Sequence, residues 1–140
     1  MDHDRQETLR ELEERLSRVS GWLAGRGEQA TRWLRTRLES VQRDVSRARR
    51  AGAQDLRDAV ASARATLDDM DRDYGAPPAH VALHPEELRA LRHHLQLTAG
   101  LLPHLSNLDD PGWDRAREEY DRSWVEVRRA FEEEGGAAAR

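Results

Sequence analysis

The chain has 140 residues, enough for one or two small domains, with 37% apolar and 36% charged residues. That is poorer in apolar and richer in charged residues than an ordinary globular domain, and it suits long helices better than sheets. A net charge of −4 argues against a generally basic nucleic-acid binder, and the lack of cysteine excludes disulfides and thiolate chemistry.

Asp4 followed by Glu7 has capping-box spacing and predicts a helix start. From there Leu12, Leu23, Leu34, Val45, Leu56 and Leu67 recur every eleven residues. Eleven residues are three helical turns at about 3.67 per turn, so these side chains stack in a column. Leu16, Leu38 and Val60 keep the same step, as do Val19, Ala30, Val41, Ala63 and Tyr74. No proline interrupts the chain before Pro77. The phase predicts one long amphipathic helix over residues 4–74, about 105 Å at 1.5 Å per residue. Gly21, Gly25 and Gly27 mark a bend within 21–27, where folding back would give a compact bundle instead of a rod; Gly52 lies in the stripe with Arg49 beside it.

Charge is blocked along this segment. Residues 26–50 hold eight arginines against Glu28, Glu39 and Asp44, and residues 51–74 hold six aspartates against three arginines. Such blocks can set the register of a partner helix. All 23 basic residues are arginine. Trp22 with Arg26 and Trp33 with Arg37 stand one helical turn apart, a spacing that permits cation–π contacts. The expected role of these tryptophans is packing against Trp113 and Trp124, also eleven apart; the alternative is the rim of an interface with protein, membrane headgroups or nucleic acid.

Gly75-Ala-Pro-Pro terminates the helix, and residues 75–84 form a linker. Pro85, Glu86 and Glu87 open a second helix whose apolar face is Leu88, Leu91, Leu95, Thr98, Leu102 and Leu105, closed by Pro103. Asp110-Pro111 starts a third, lined by Trp113, Ala116, Tyr120, Trp124, Val127 and Phe131. Residues 85–134 are thus a helical hairpin and 135–140 a disordered tail. The expected fold is all-α: a long hendecad helix followed by a hairpin, forming an elongated bundle or coiled coil.

Asp69, Asp71, Asp73 and Gly75 only superficially match a calcium loop, because Tyr74 and His80 occupy the glycine and glutamate positions. His80, His84, His93, His94 and His104 cluster in sequence without a complete metal-ligand pattern. No metal, cofactor or catalytic residue is expected, nor an enzyme. The eleven-residue repeats of 12–74 resemble, in periodicity alone, those of apolipoproteins, late-embryogenesis proteins and other lipid-surface helices. Those usually carry interfacial lysine and a wide apolar face, whereas this face is narrow and holds Gly27, Arg49 and Gly52.

The leading expectation is a cytoplasmic, non-enzymatic adaptor or scaffold, a homo-oligomer with a dimer favoured, or one that takes a helical protein partner. Its interface would be Leu12, Leu16, Val19, Leu23, Leu34, Leu38, Val41, Val45, Leu56, Val60 and Leu67. The alternative is a binder of nucleic-acid phosphate or acidic lipid through Trp22, Arg26, Arg32, Trp33, Arg35, Arg37, Arg43, Arg47, Arg49 and Arg50. A third reading is a stress-protective amphipathic helix, disfavoured by four tryptophans.

Overall fold

The computed structural model describes residues 2–50, 53–72, 83–107 and 109–134. The protein is all-α. Helix α1 spans Asp2–Gly25, α2 Arg32–Arg50, α3 Ala53–Arg72, α4 Pro85–Leu101 and α5 Trp113–Arg128. A 3₁₀ turn, Leu102–Ser106, extends α4, and a π-helical turn, Arg129–Glu134, extends α5. The expected stop at Gly75, the residues His80 and Gly52, and the tail 135–140 lie outside the described residues.

The single helix over 4–74 is overturned. The chain reverses at residues 26–31, where Gly27 takes φ +128°, and α1 and α2 pack side by side. Thr31 meets Leu23 at the turn and Gln42 Nε2 donates to the Glu13 carbonyl at 3.4 Å further along, so later residues of α2 meet earlier residues of α1 and the pair is antiparallel; Arg49 also pairs with the Glu13 carboxylate. Helices α2 and α3 also pack on each other. With two residues between them, they can do so along their lengths only by running antiparallel.

The reversal at 26–31 satisfies its own polar groups. The Arg26 and Gly27 N–H groups donate to the Leu23 and Ala24 carbonyls. Thr31, fully buried, sets its hydroxyl 2.6 Å from the Gly27 carbonyl and 2.9 Å from that of Leu23. The buried hydroxyl thereby lies within hydrogen-bond reach of carbonyls on both sides of the turn, adding to the Arg26 N–H that the Leu23 carbonyl already accepts.

The eleven-residue phase survives these reversals for a simple reason. Leu12 to Leu23 is a step inside α1, Leu34 to Val45 inside α2, and Leu56 to Leu67 inside α3. The intervening steps, Leu23 to Leu34 and Val45 to Leu56, cross the connections. Inside each helix the buried positions alternate by three and four: Leu9, Leu12, Leu16, Val19 and Leu23 in α1; Leu34, Leu38, Val41, Val45 and Ala48 in α2. That is the ordinary stripe of a helix facing a bundle core.

Helices α4 and α5 pack on each other as a C-terminal hairpin. Pro85 stands at the start of α4, and Glu87 Oε1 accepts the His84 N–H at 2.9 Å, one arm of a capping box. Leu88, Leu91, Leu95, Thr98, Leu102 and Leu105 are all buried. Helix α4 packs on α5 and, with its 3₁₀ extension, on α3. Asp71 accepts from Arg92 Nε and Gln96 Nε2, both at 2.9 Å, so the acidic end of α3 serves to anchor α4. These donors hold the Asp71 carboxyl below the usual carboxylate range. Helix α5 starts at Trp113 after an Asp110 Oδ1 to Gly112 N–H bond of 2.9 Å.

A Cβ at Gly27 would have space, its nearest neighbour being Ala30 Cβ at 3.8 Å, so the cost of Gly27→Ala falls on the backbone. We expect Gly27→Ala to destabilise by about 1–3 kcal/mol. Gly21→Ala, exposed within α1 with nothing within 4 Å of its Cβ, should stabilise by about 0.5–1 kcal/mol. Urea unfolding checks both, and equal effects would refute the turn.

Candidate functional site

The eleven residues expected to form an assembly interface are 0–6% exposed in the single chain. Leu12, Leu16, Val19, Leu23, Leu34, Leu38, Val41, Val45, Leu56, Val60 and Leu67 are therefore core side chains. The stripe needed another apolar surface, and two chain reversals supply it from the same molecule.

The arginine segment divides into internal and external members. Trp22 stacks on Trp124 and Phe131, with ring centroids at 5.4 and 5.2 Å. Arg26 turns away from Trp22: its Nη2 and Nε meet Glu87 Oε2 at 2.8 and 3.1 Å, and Nη2 also donates to the Phe131 carbonyl at 3.0 Å. The Glu87 side chain is only 2% exposed, so this pair is buried and mutually required. Trp22 and Arg26 thus lock α1 to both arms of the hairpin, and neither is available to a ligand. Arg18 takes the cation–π place over Trp22, and Arg26 lies over Phe131. The second expected pair is present, with Arg37 5.8 Å from the Trp33 ring centre. Trp33 itself is half-buried against the core.

Of the remaining candidates, Arg35 donates to Thr31 Oγ1 and the Glu28 carbonyl, and Arg49 pairs with Glu13. Arg47 sits 3.7 Å from Asp44 on its own helix. The side chains of Arg32, Arg43 and Arg50 are exposed and make no hydrogen bond or ion pair within the described residues. Arg32 and Arg43 are three turns apart and Arg43 and Arg50 two, so all three project from one face of α2. Arg47 borders that face, and Glu39 lies within it. This outer face is the candidate site.

Sequence reasoning missed a polar group in the core. His94, on α4, is 1% exposed and lies between Tyr120 and Trp124, with centroids at 5.2 and 5.5 Å. Its Nδ1 is 2.8 Å from Ser123 Oγ, and Ser123 donates its own proton to the Tyr120 carbonyl at 2.7 Å. Nδ1 must then carry the proton that Ser123 accepts, the reverse of a base activating a nucleophile. Burial, helped by Arg15 and His93, pushes the His94 pKa down to about 3. The Arg15 guanidinium lies 5.1 Å from the Tyr120 ring centre and 5.3 Å from that of Trp124, and bonds Asp121 at 2.9 Å.

The histidines expected to cluster are dispersed. His84 precedes α4, His93 points its Nδ1 to Glu126 at 3.4 Å, and His104 Nδ1 is 3.0 Å from Asp110. Among the described residues no group of three His, Asp or Glu side chains could hold a metal ion. His104 borders a cleft of about 300 Å³ between the hairpin arms, floored by Leu97, Gly100 and Ala116 and rimmed by the Arg115–Glu119 pair. Gly112 permits the close approach, since a Cβ there would meet His104 Cε1 at 2.9 Å. No described helix is long and apolar enough to cross a membrane.

No family model, curated protein or solved structure matches the chain. The functional reading therefore rests on the residues themselves.

The His94 shift gives a pH prediction. In the unfolded chain its pKa returns to about 6.5, so below that pH the unfolded state binds the extra proton. Stability falls as pH drops from about 6.5 towards 3, at up to ~1.4 kcal/mol per pH unit from this group. His94→Gln, which keeps a donor for Ser123 and does not titrate, should flatten that slope. Urea midpoints of both proteins from pH 7.5 to 4.5 test this, and parallel pH curves would refute it.

Proposed function

We propose that this protein is a non-enzymatic helical adaptor, a compact bundle that presents the outer face of α2 to an anionic partner. One observation carries the reading: Arg32, Arg43 and Arg50 stand exposed on one helix face without an internal partner. Elsewhere arginine is largely consumed by the fold. Arg15, Arg18, Arg26, Arg49 and Arg117 pair with acids on other segments. Arg64, Arg72, Arg89, Arg115 and Arg122 pair with acids one turn away on their own helices.

Helix α2 carries seven arginines against Glu39 and Asp44, in a chain whose net charge is −4. A local field of that sign steers an anionic partner despite the overall charge. With the apolar stripe internal, partner choice falls to this outer face. A cytoplasmic location belongs to the same proposal.

A cation-exchange column tests the reading without naming the partner. At pH 7 and low salt a protein of net charge −4 with mixed surface charge would flow through a sulfonate resin. We expect retention, abolished in Arg32→Gln/Arg43→Gln/Arg50→Gln. Flow-through of the unaltered protein would sink the proposal.

A further inference from the structure

Resting on that reading of α2, we infer that its outer face binds the phosphodiester backbone of double-stranded nucleic acid. The surface offers charge and hydrogen-bond donors and no apolar content. The exposed positions of α2 are Thr36, Glu39 and arginines. Among the described residues the single exposed large apolar side chain is Val125, on α5.

That composition discriminates between anionic partners. A protein partner usually needs an aromatic or aliphatic anchor in a desolvated centre. A membrane surface takes up an amphipathic helix through an inserted apolar face, but the apolar face of α2 is in the core. Single-stranded nucleic acid is held by bare aromatic platforms. Trp33, the one aromatic of α2, is half-buried beneath Arg37. A duplex backbone asks only for correctly placed cations, and guanidinium meets phosphate with two parallel hydrogen bonds. Along the helix Arg32 and Arg43 are about 16 Å apart and Arg43 and Arg50 about 10 Å, so the row reaches several phosphates. Glu39 is the one acid within it.

The experiment measures binding of the full chain to a labelled 20-base-pair DNA duplex and an RNA duplex across a salt series. Three to four phosphate contacts give a slope of log affinity on log salt of about −2.7 to −3.6. Affinity then falls roughly 40- to 150-fold between 50 and 200 mM salt. Binding to either duplex with this slope supports the inference, and the tighter one names the source. Arg32→Gln/Arg43→Gln/Arg50→Gln should remove nearly all of the slope, and Glu39→Gln should tighten binding. Circular dichroism checks that the triple variant folds; Arg43→Gln alone should reduce the slope by about one.

Three results overturn it. One is equal loss in Arg64→Gln/Arg89→Gln/Arg122→Gln, which removes the same charge from other helices. Another is tighter binding to a single strand than to either duplex. The third is binding to poly-glutamate or to phosphatidylserine vesicles without binding to duplex. That third result leaves the adaptor reading standing if the resin still retains the protein, whereas loss of resin retention removes both.

Discussion

The reversal at residues 26–31 is the constraint from which the rest of the molecule follows. Each of the first three helices has a narrow apolar stripe and a charged remainder, and none can bury that stripe alone. The left-handed backbone at Gly27, closed by the Thr31 hydroxyl, turns α2 back along α1. It also brings Arg26 to the start of α4, where it meets the buried carboxylate of Glu87. A straight helix would leave Leu34, Leu38, Val41 and Val45 without an internal apolar neighbour. The reversal converts an assembly surface into a core.

Arginine then acts mainly as internal mortar. Helices α1 and α5 run alongside each other through long side chains, not through close backbone approach. Arg117 reaches Glu11 and Thr8, Arg15 reaches Asp121, and Arg18 reaches Glu132. Between these contacts lies a layer of rings: Trp22, Trp124, Phe131, Tyr120 and His94. A planar guanidinium can stack on such rings while bonding a carboxylate in its own plane, which an ammonium does less well. Arg15, set between Tyr120, Trp124 and Asp121, does both. The buried members of this layer stay neutral or paired. His94 remains uncharged far below its ordinary pKa because burial disfavours the imidazolium and the nearby Arg15 and His93 oppose a further positive charge.

Against that background the outer face of α2 is distinctive for what its arginines do not do. Three of them point away from the bundle, aligned, in a protein that elsewhere neutralises most of its cations with a nearby acid. Charge placed without an internal partner adds little to a fold and repels its neighbours, so its use is sought outside the molecule. The cleft beside His104 and Asp110 has a mixed lining, and the hydrogen bond from Gly112 to Asp110 ties it to the start of α5. Its His104 serves the connection between the hairpin arms through Asp110, and its Arg115–Glu119 pair lies within α5.

The all-α class and the apolar face of every helix were legible in the order of the residues alone. Each depends on short-range rules: three-four spacing, proline at the first turn of α4, and the Asp110-Pro111 start before α5. That order also placed the Trp33–Arg37 contact, which is a property of one helical turn. Where the stripe is buried was not legible there, because it depends on how the helices fold back on one another. Eleven-residue spacing has the same phase whether the chain continues straight or spends residues 26–31 on a reversal, so Leu23 to Leu34 reads alike in both. Packing of Trp22 on Trp124 is the contact expected from their shared spacing, whereas the same limit hides the partner of Arg26, Glu87, which lies 61 positions away. Periodicity records which side of a helix is apolar. What covers that side depends on long-range packing, and so does which arginines remain facing water.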